Sequence, residues 1–268
     1  MAIQFGSGEG FSLRPMQETN RGLLSSLKEL GTQKRINSAA DDAAGLAIAE
    51  RLSAFEAAAA RGVRNLNDGI SVAKVADGGL ERVSDDLLRM RELTVQAQNG
   101  TLNDADRAVI QDEIDQLAAG IDQTVRATEF NGRKLLDGSA GGGTAIEVVD
   151  GSGEVTGSVD VEDQSAAALG VDALDVAQPL SIQSIDAAID KVTDARGKLG
   201  AVANRFASQV RTELGAIENV AASRSRIEDV SLAEAVSDRT KHQILLSAQL
   251  GLQAHSRLDE SAVLQLLG

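Results

Sequence analysis

Apolar side chains recur along most of this chain at intervals of three and four, which keeps them on one face of a helix. Ile70, Ala73, Leu80, Val83, Leu87, Met90 and Ala97 follow heptad-like spacing and predict an amphipathic helix from about Leu66 to Gln98. At about 1.5 Å per residue it is roughly 50 Å long. Asn99-Gly100 stops it, because both residues tolerate the left-handed conformation of a C-terminal cap, and Asn103 or Asp104 is placed to cap the next helix. Ile110, Ile114, Leu117, Ile121 and Val125 repeat at spacings of 4, 3, 4 and 4 and predict a second helix, closed by Asn131-Gly132. A short loop makes the two antiparallel neighbours. Leu199, Val202, Phe206, Val210, Leu214, Ile217 and Val220 predict a third long helix, entered through a segment starting at Ser181 or Ser184.

Between the second and third helices the period falls to two. Two β-branched runs, Thr144 to Asp150 and Ser158 to Glu162, flank the Gly-rich stretch GSGEVTG and predict a hairpin. The chain ends carry apolar stripes of their own: Leu13, Met16, Leu23, Leu27 and Leu30 at the start, and Leu232, Val236, Ile244, Leu246, Leu250, Leu258, Val263, Leu264 and Leu267 at the finish. Neither has an obvious intramolecular cover, so each reads as a helix docked on its own core or as a face kept for another subunit.

The 268 residues suffice for one large or two small domains. Trp, Tyr and Cys are absent and only five Phe are present, so burial falls to Ala, Leu, Ile and Val, which suits closely spaced helices better than an enzyme pocket. Pro15 and Pro179 are the sole prolines and leave room for long helices. The net charge of −14 disfavours nucleic acid, whose phosphates a binder must neutralise. Eleven acids and no Lys or Arg fall between Asp137 and Asp190. No stretch reaches the roughly 18 apolar residues of a membrane span. The start, MAIQFGSGEGF, has neither a basic nor an apolar signal region, so no membrane insertion and no cleaved signal are expected.

Chemistry-bearing motifs are few. His242 and His255 stand in no metal-ligand spacing and read as helix-surface or packed residues. A Ser-His-Asp triad would need one of them, and no GxSxG elbow supports it. The Asp150 to Glu154 stretch resembles the start of a calcium loop, but Val155 and Val161 occupy the positions of its Gly and Glu, leaving a solvated acidic turn. The pairs Asp41-Asp42 and Asp85-Asp86 fit helix starts or solvated faces. No catalysis and no cofactor are expected.

Particular strings carry more information. RINSAADDAAGLAIA from Arg35 to Ala49, NLNDGIS from Asn65, LRMRELTVQ from Leu88, IQDEI from Ile110 and TEFNG from Thr128 resemble the N-terminal region of bacterial flagellin. LGAVANRF from Leu199 and SRSRIED from Ser223 resemble its C-terminal region, in the same order. The first 34 residues depart from the family's usual Asn-rich pattern, and Pro15 interrupts the first stripe.

The resemblance implies a mainly α fold, a long antiparallel helical or coiled-coil rod formed by both chain ends with a small β-hairpin in the middle. Residues 1–36 and 231–268 correspond to an inner helical tube domain, and residues 37–230 to a rod domain whose acidic Gly-rich hairpin segment lies at about 137–178. The implied function is a structural subunit that polymerises into the extracellular filament of the bacterial flagellum for swimming, with the hook-filament junction protein as the alternative. A flagellin-like scaffold carrying a protease is disfavoured by the lack of His in residues 137–190, and a cytoplasmic coiled-coil protein is the reading from a different class.

The terminal assembly stripe is Leu13, Leu23, Leu27, Leu30, Ile244, Leu250, Leu258, Leu264 and Leu267. Arg89, Leu93 and Glu113, with Arg91 and Glu92 beside them, match family positions at rod contacts that also meet the vertebrate innate-immune flagellin receptor. Implied partners are further copies of the chain, the flagellar export chaperone of the type III channel, and the hook-junction and filament-cap proteins. Deleting Ser231 to Gly268 is expected to abolish polymerisation while the remaining chain stays helical, as read by electron microscopy and circular dichroism.

Overall fold

A computed structural model of the chain describes residues 9–139, 145–176, 178 and 180–267, with residues 9–13, 180 and 256–267 described through the backbone alone. Its helices are α1 (Glu9–Thr32), α2 (Ala43–Ala97), α3 (Asp104–Ala127), α4 (Ala166–Leu169), α5 (Leu180–Glu228) and α6 (Leu232–Leu267). Two antiparallel hairpins pair β1 (Glu129–Phe130) with β2 (Arg133–Lys134), and β3 (Ile146–Val149) with β4 (Val155–Val159). The chain divides into two compact units, Met1–Ala54 with Asn219–Gly268, and Phe55–Glu218. No described helix is long and apolar enough to cross a membrane.

In the Phe55–Glu218 unit, Leu66, Ala73, Leu80, Leu87, Met90 and their neighbours bury one face of α2 against Ile110, Ile114 and Ile121 of α3 and Ile185, Val192, Leu199 and Phe206 of α5. Polar contacts fix the directions. Arg107 reaches the Ala97 carbonyl at 3.2 Å and Arg89 reaches Glu113 at 2.9 Å, so α3 runs antiparallel to α2. Arg91 meets Asp186 at 2.7 Å and Arg196 meets Asp77 at 2.8 Å, so α5 is antiparallel to α2 as well.

The β3–β4 hairpin sits on a row of small residues. A Cβ on Gly62 would lie 2.4 Å from the Gly151 backbone nitrogen, and one on Gly69 would lie 2.7 Å from Val148 Cγ2 and 2.9 Å from the Phe206 ring. Between them, Asn65 Nδ2 donates to the Val149 carbonyl at 3.1 Å. Glycine here allows a close approach that any side chain would block.

Four boundaries differ from the sequence reading. Helix α2 begins at Ala43 rather than near Leu66, because Asp42 caps it by accepting from the Gly45 N–H at 2.8 Å, and the alanine-rich stretch beyond continues the helix without a strong apolar period. Asn131-Gly132 does not close α3. That helix ends at Ala127, and both residues have positive φ (50° and 76°) as the two-residue turn of the β1–β2 hairpin. In the second hairpin β4 starts at Val155, because the Asp150 carboxylate accepts from the Ser152 and Glu154 N–H groups and closes the turn within five residues. Thr144 and the Gly141 to Gly143 run lie outside the described residues. Helix α5 begins at Leu180, so Ser181 and Ser184 lie inside it. Elsewhere Asn103, one of the two candidate caps, forms a capping box with Asp106 at the start of α3.

Two glycine substitutions should move stability in opposite directions. Gly69→Ala is expected to cost about 1–3 kcal/mol through overpacking against Val148 and Phe206. Gly197→Ala, with open space around it on α5, is expected to gain about 0.5–1 kcal/mol from helix propensity. Urea unfolding of the two variants checks both signs.

Candidate functional site

In the unit Met1–Ala54 with Asn219–Gly268, the two interhelical links are tied together. The Arg35 N–H donates to the Glu228 carbonyl at 2.7 Å and the Val230 N–H to the Gln33 carbonyl at 3.1 Å, an antiparallel bridge. The Arg35 guanidinium also donates to the Ile227 carbonyl at 2.8 Å, satisfying an orphan acceptor at the end of α5, and Lys34 pairs with Glu228 at 2.5 Å. On the other side of the link, Asn37 Nδ2 donates to the Lys34 carbonyl at 2.7 Å. The Asp41 carboxylate accepts from the N–H groups of Asn37 and Ser38 at 3.0 and 2.8 Å. The Asn37 bond is the largest of the contacts that hold the Asp41 carboxyl below its ordinary pKa. A Cβ on Gly45 would meet the ends of the Asp42 and Ile36 side chains, so a larger residue there would have to displace the capping carboxylate. The string from Arg35 to Gly45 is therefore a clasp, and most of its polar residues serve the backbone.

Beyond the clasp α1 and α6 pair, and the packing corrects the expectation that the terminal stripes lack any cover within the chain. What they bury is unexpected. Among the described side chains of the pair, Thr19 and Ser26 on α1 and Ala235 on α6 are buried, with Met16, Gly22, Leu23, Leu30, His242, Leu246 and Gln249 half-buried beside them. Residues 235, 242 and 249 repeat every seven, so the seam has a coiled-coil spacing with small and polar residues on that repeat and half-buried leucines beside it. Helix α1 runs unbroken through Pro15, whose carbonyl accepts from the Thr19 hydroxyl at 2.8 Å. Of the predicted stripe, Leu23 and Leu30 are half-buried, while Leu27, Ile244 and Leu250 face outward. Leu24, Leu245 and Leu252 join them, with Ile244 63% and Leu252 73% exposed. The side chains of Leu13, Leu258, Leu264 and Leu267 lie outside the described residues.

The Phe55–Glu218 unit carries the second group of predicted residues. Arg89 on α2 bonds Glu113 on α3 at 2.9 Å and Glu92 at 3.3 Å, and these partners raise its pKa, Glu113 foremost. Arg91 points elsewhere, to Asp186 of α5. Leu93 does not belong with them: it is 2% exposed, inside the core, because it lies three residues after Met90 on the buried face. Instead Leu88, Val95 and Val109 expose apolar side chains on α2 and α3. These were legible only as apolar residues off the core spacing. The Asp150 carboxylate is used within its own turn, accepting from Ser152 and Glu154, and among the described residues no group of three His, Asp or Glu is placed to hold a metal ion.

Comparison with known proteins gives the family. Residues 12–141 match the bacterial flagellin N-terminal helical region and residues 182–267 the bacterial flagellin C-terminal helical region. Flagellin of Bacillus subtilis is 34% identical, over 96% of this chain and 96% of its own length. The chain belongs to the bacterial flagellin family. Flagellin of Halalkalibacterium halodurans is 37% identical with 90% of each chain covered, and a flagellar filament 33 kDa core protein of Treponema phagedenis is 33% identical over the whole of both. As a flagellin it is a structural subunit of the flagellar filament, self-assembling, and not an enzyme. The full coverage at near-equal length agrees with a short flagellin that lacks large central insertions.

The Asp41 contacts give a pH signature. Because its pKa is lowered on folding, its stabilisation is present at neutral pH, above the unfolded value, and is lost as pH falls through the lower folded value. Asp41→Asn is expected to lower the melting temperature at pH 7, with the difference from wild type shrinking as the buffer is acidified, as read by thermal unfolding.

Proposed function

We propose that the filament is built through the terminal helices, with residues 1–36 and 231–268 as the inner tube and residues 37–230 as the rod, the acidic hairpin segment at about 137–178 included. The observation that carries this reading is the apolar exterior of the α1–α6 pair: Thr19, Ser26 and Ala235 are the fully buried side chains among those described, Leu23, Leu30 and Leu246 are half-covered, and Leu24, Leu27, Ile244, Leu245, Leu250 and Leu252 stand outside. Each such side chain is 41–73% exposed, so covering the remainder by a neighbour contributes roughly 1–2 kcal/mol. The stabilisation missing within the subunit is thus available between subunits. A contact between unlike faces whose rotation does not close into a ring grows as a helical polymer.

Arg89, Arg91, Glu92 and Glu113 serve first as rod-to-rod contacts. Their ion pairs are exposed, and such pairs are worth about 0–1 kcal/mol, so exchanging an intramolecular partner for a neighbour's costs little. Leu88, Val95 and Val109 supply apolar area beside them. The same surface is the one offered to a vertebrate innate-immune receptor, with Leu93 contributing from beneath. The chain leaves the cell through the flagellar type III channel without a cleaved signal and takes its place outside the cell. The segment from Ser231 to Gly268 is held before export by the chaperone, and the cap and hook-junction proteins meet the ends of the polymer.

Seeded assembly tests the reading. Purified subunits are mixed with short filament seeds and a precipitating salt, which strengthens apolar burial. Electron microscopy is expected to show long tubes. Seeds that are capped without lengthening would make the chain a junction protein, and seeds left untouched would overturn assembly through the terminal helices.

A further inference from the structure

The seam between α1 and α6 contains one contact with a shape of its own. A Cβ built on Gly22 would lie 2.5 Å from Cε1, 2.6 Å from Nε2 and 3.0 Å from Nδ1 of His242, so the imidazole occupies the space a side chain would need. His242 Nδ1 is buried there with no hydrogen-bond partner. One heptad further along α6, Gln249 Nε2 donates to Thr19 Oγ1 at 3.1 Å while Gln249 Oε1 is buried without a partner. Burying polar atoms unpaired costs free energy, and a coiled-coil seam accepts that cost where a polar residue fixes register.

We infer that Gly22 and His242 form a register lock for the terminal helix pair, the ring of one helix seated on the bare backbone of the other. The inference rests on the reading of this pair as the assembly surface. Sliding α6 by one turn moves the ring onto Glu18, Thr19, Ser25 or Ser26, all of which carry a Cβ. The next glycine of α1, Gly31, is nine residues away. An all-leucine seam would tolerate such a slide, since one apolar contact replaces another. Register matters because the outward face is composite. Leu24 and Leu27 come from α1 while Ile244, Leu245 and Leu252 come from α6, and a one-turn slide displaces one set against the other by about 5.4 Å. A neighbouring subunit would then meet a face of the wrong shape. His242 is a positioning residue in this scheme, as it sets where the apolar groups stand without itself joining the next subunit.

The lock makes a sign prediction that helix propensity opposes. Alanine is the better helix former, so Gly22→Ala should favour assembly unless the ring stands in the way. Measured as the critical concentration for seeded elongation, Gly22→Ala is expected to raise it about tenfold, equivalent to about 1.4 kcal/mol. In a His242→Ala background the same Gly22→Ala change is expected to lower it. If Gly22→Ala leaves wild-type elongation unchanged or improves it, the lock is wrong.

A second readout does not need polymerisation. The chain has no cysteine, so Thr19→Cys can be combined with either Gln249→Cys or Gln253→Cys and treated with a short bismaleimide in the assembly salt. The intramolecular link is expected to favour position 249 several-fold, and Gly22→Ala should level the two yields. Equal yields in the wild-type background overturn the lock. Subunits that keep the bias yet never extend seeds would overturn the assembly reading and leave the lock standing.

Discussion

A helix of 55 residues presents an apolar face that it cannot cover itself, and in the Phe55–Glu218 unit most of the remaining chain serves to cover it. Leu66, Ala73, Leu80, Leu87 and Met90 of α2 set one line of burial, and α3 and α5 are held antiparallel along it by ion pairs spaced down their length. Those exposed pairs add little stability individually. Their value lies in direction, because an antiparallel order is the one in which each Arg finds its acid. The hairpins then close what three helices leave open: Leu135 and Leu136 follow β2 into the core, and Val148 and Val159 enter from the second hairpin. With so few aromatic residues, close approach replaces bulk, and that is why glycines stand where the hairpin touches α2.

The terminal helices follow the opposite economy. Their mutual seam fully buries Thr19, Ser26 and Ala235 and only half-covers Leu23, Leu30 and Leu246, while Leu24, Leu27, Ile244, Leu245, Leu250 and Leu252, which could have strengthened an intramolecular core, are turned outward. Had the leucines faced inward, the pair would be a stable hairpin of helices with a polar exterior and no reason to associate. In the proposed assembly, a pair with this exterior draws part of its stabilisation from its neighbours. The clasp from Arg35 to Gly45 resolves the difficulty this raises, since two helices with a weak seam need something else to bring them side by side. Its backbone bridge to Glu228 and Val230 does so with hydrogen bonds rather than apolar burial.

Helix existence was legible wherever burial was periodic, as in Ile110 to Val125, and turns were legible as Gly-containing punctuation. What periodicity could not resolve was which job a given punctuation performs. Asn131-Gly132 satisfies a helix stop and a hairpin turn equally well in sequence, and the strands around it are two residues long, too short to announce themselves. The start of α2 was missed for a related reason: Ala57 to Ala60 has helix propensity without an apolar stripe, so its membership in a helix depends on the Asp42 cap further back. Leu93 was placed on the surface by resemblance although its spacing from Met90 and Ala97 puts it on the buried face. The terminal seam is not legible in the apolar pattern because its fully buried side chains, Thr19, Ser26 and Ala235, are small or polar, and leucines stand on both sides of it.

The charge distribution bears on how such a chain stays a subunit until it is wanted. Apolar faces on both ends of every copy would associate indiscriminately if nothing opposed them. The net charge of −14 supplies a general repulsion, and most of it resides between Asp137 and Asp190, away in sequence from the terminal stripes. Repulsion of this kind is screened by salt and is overcome where many apolar contacts form together, at the end of an existing polymer, sooner than where two free subunits meet.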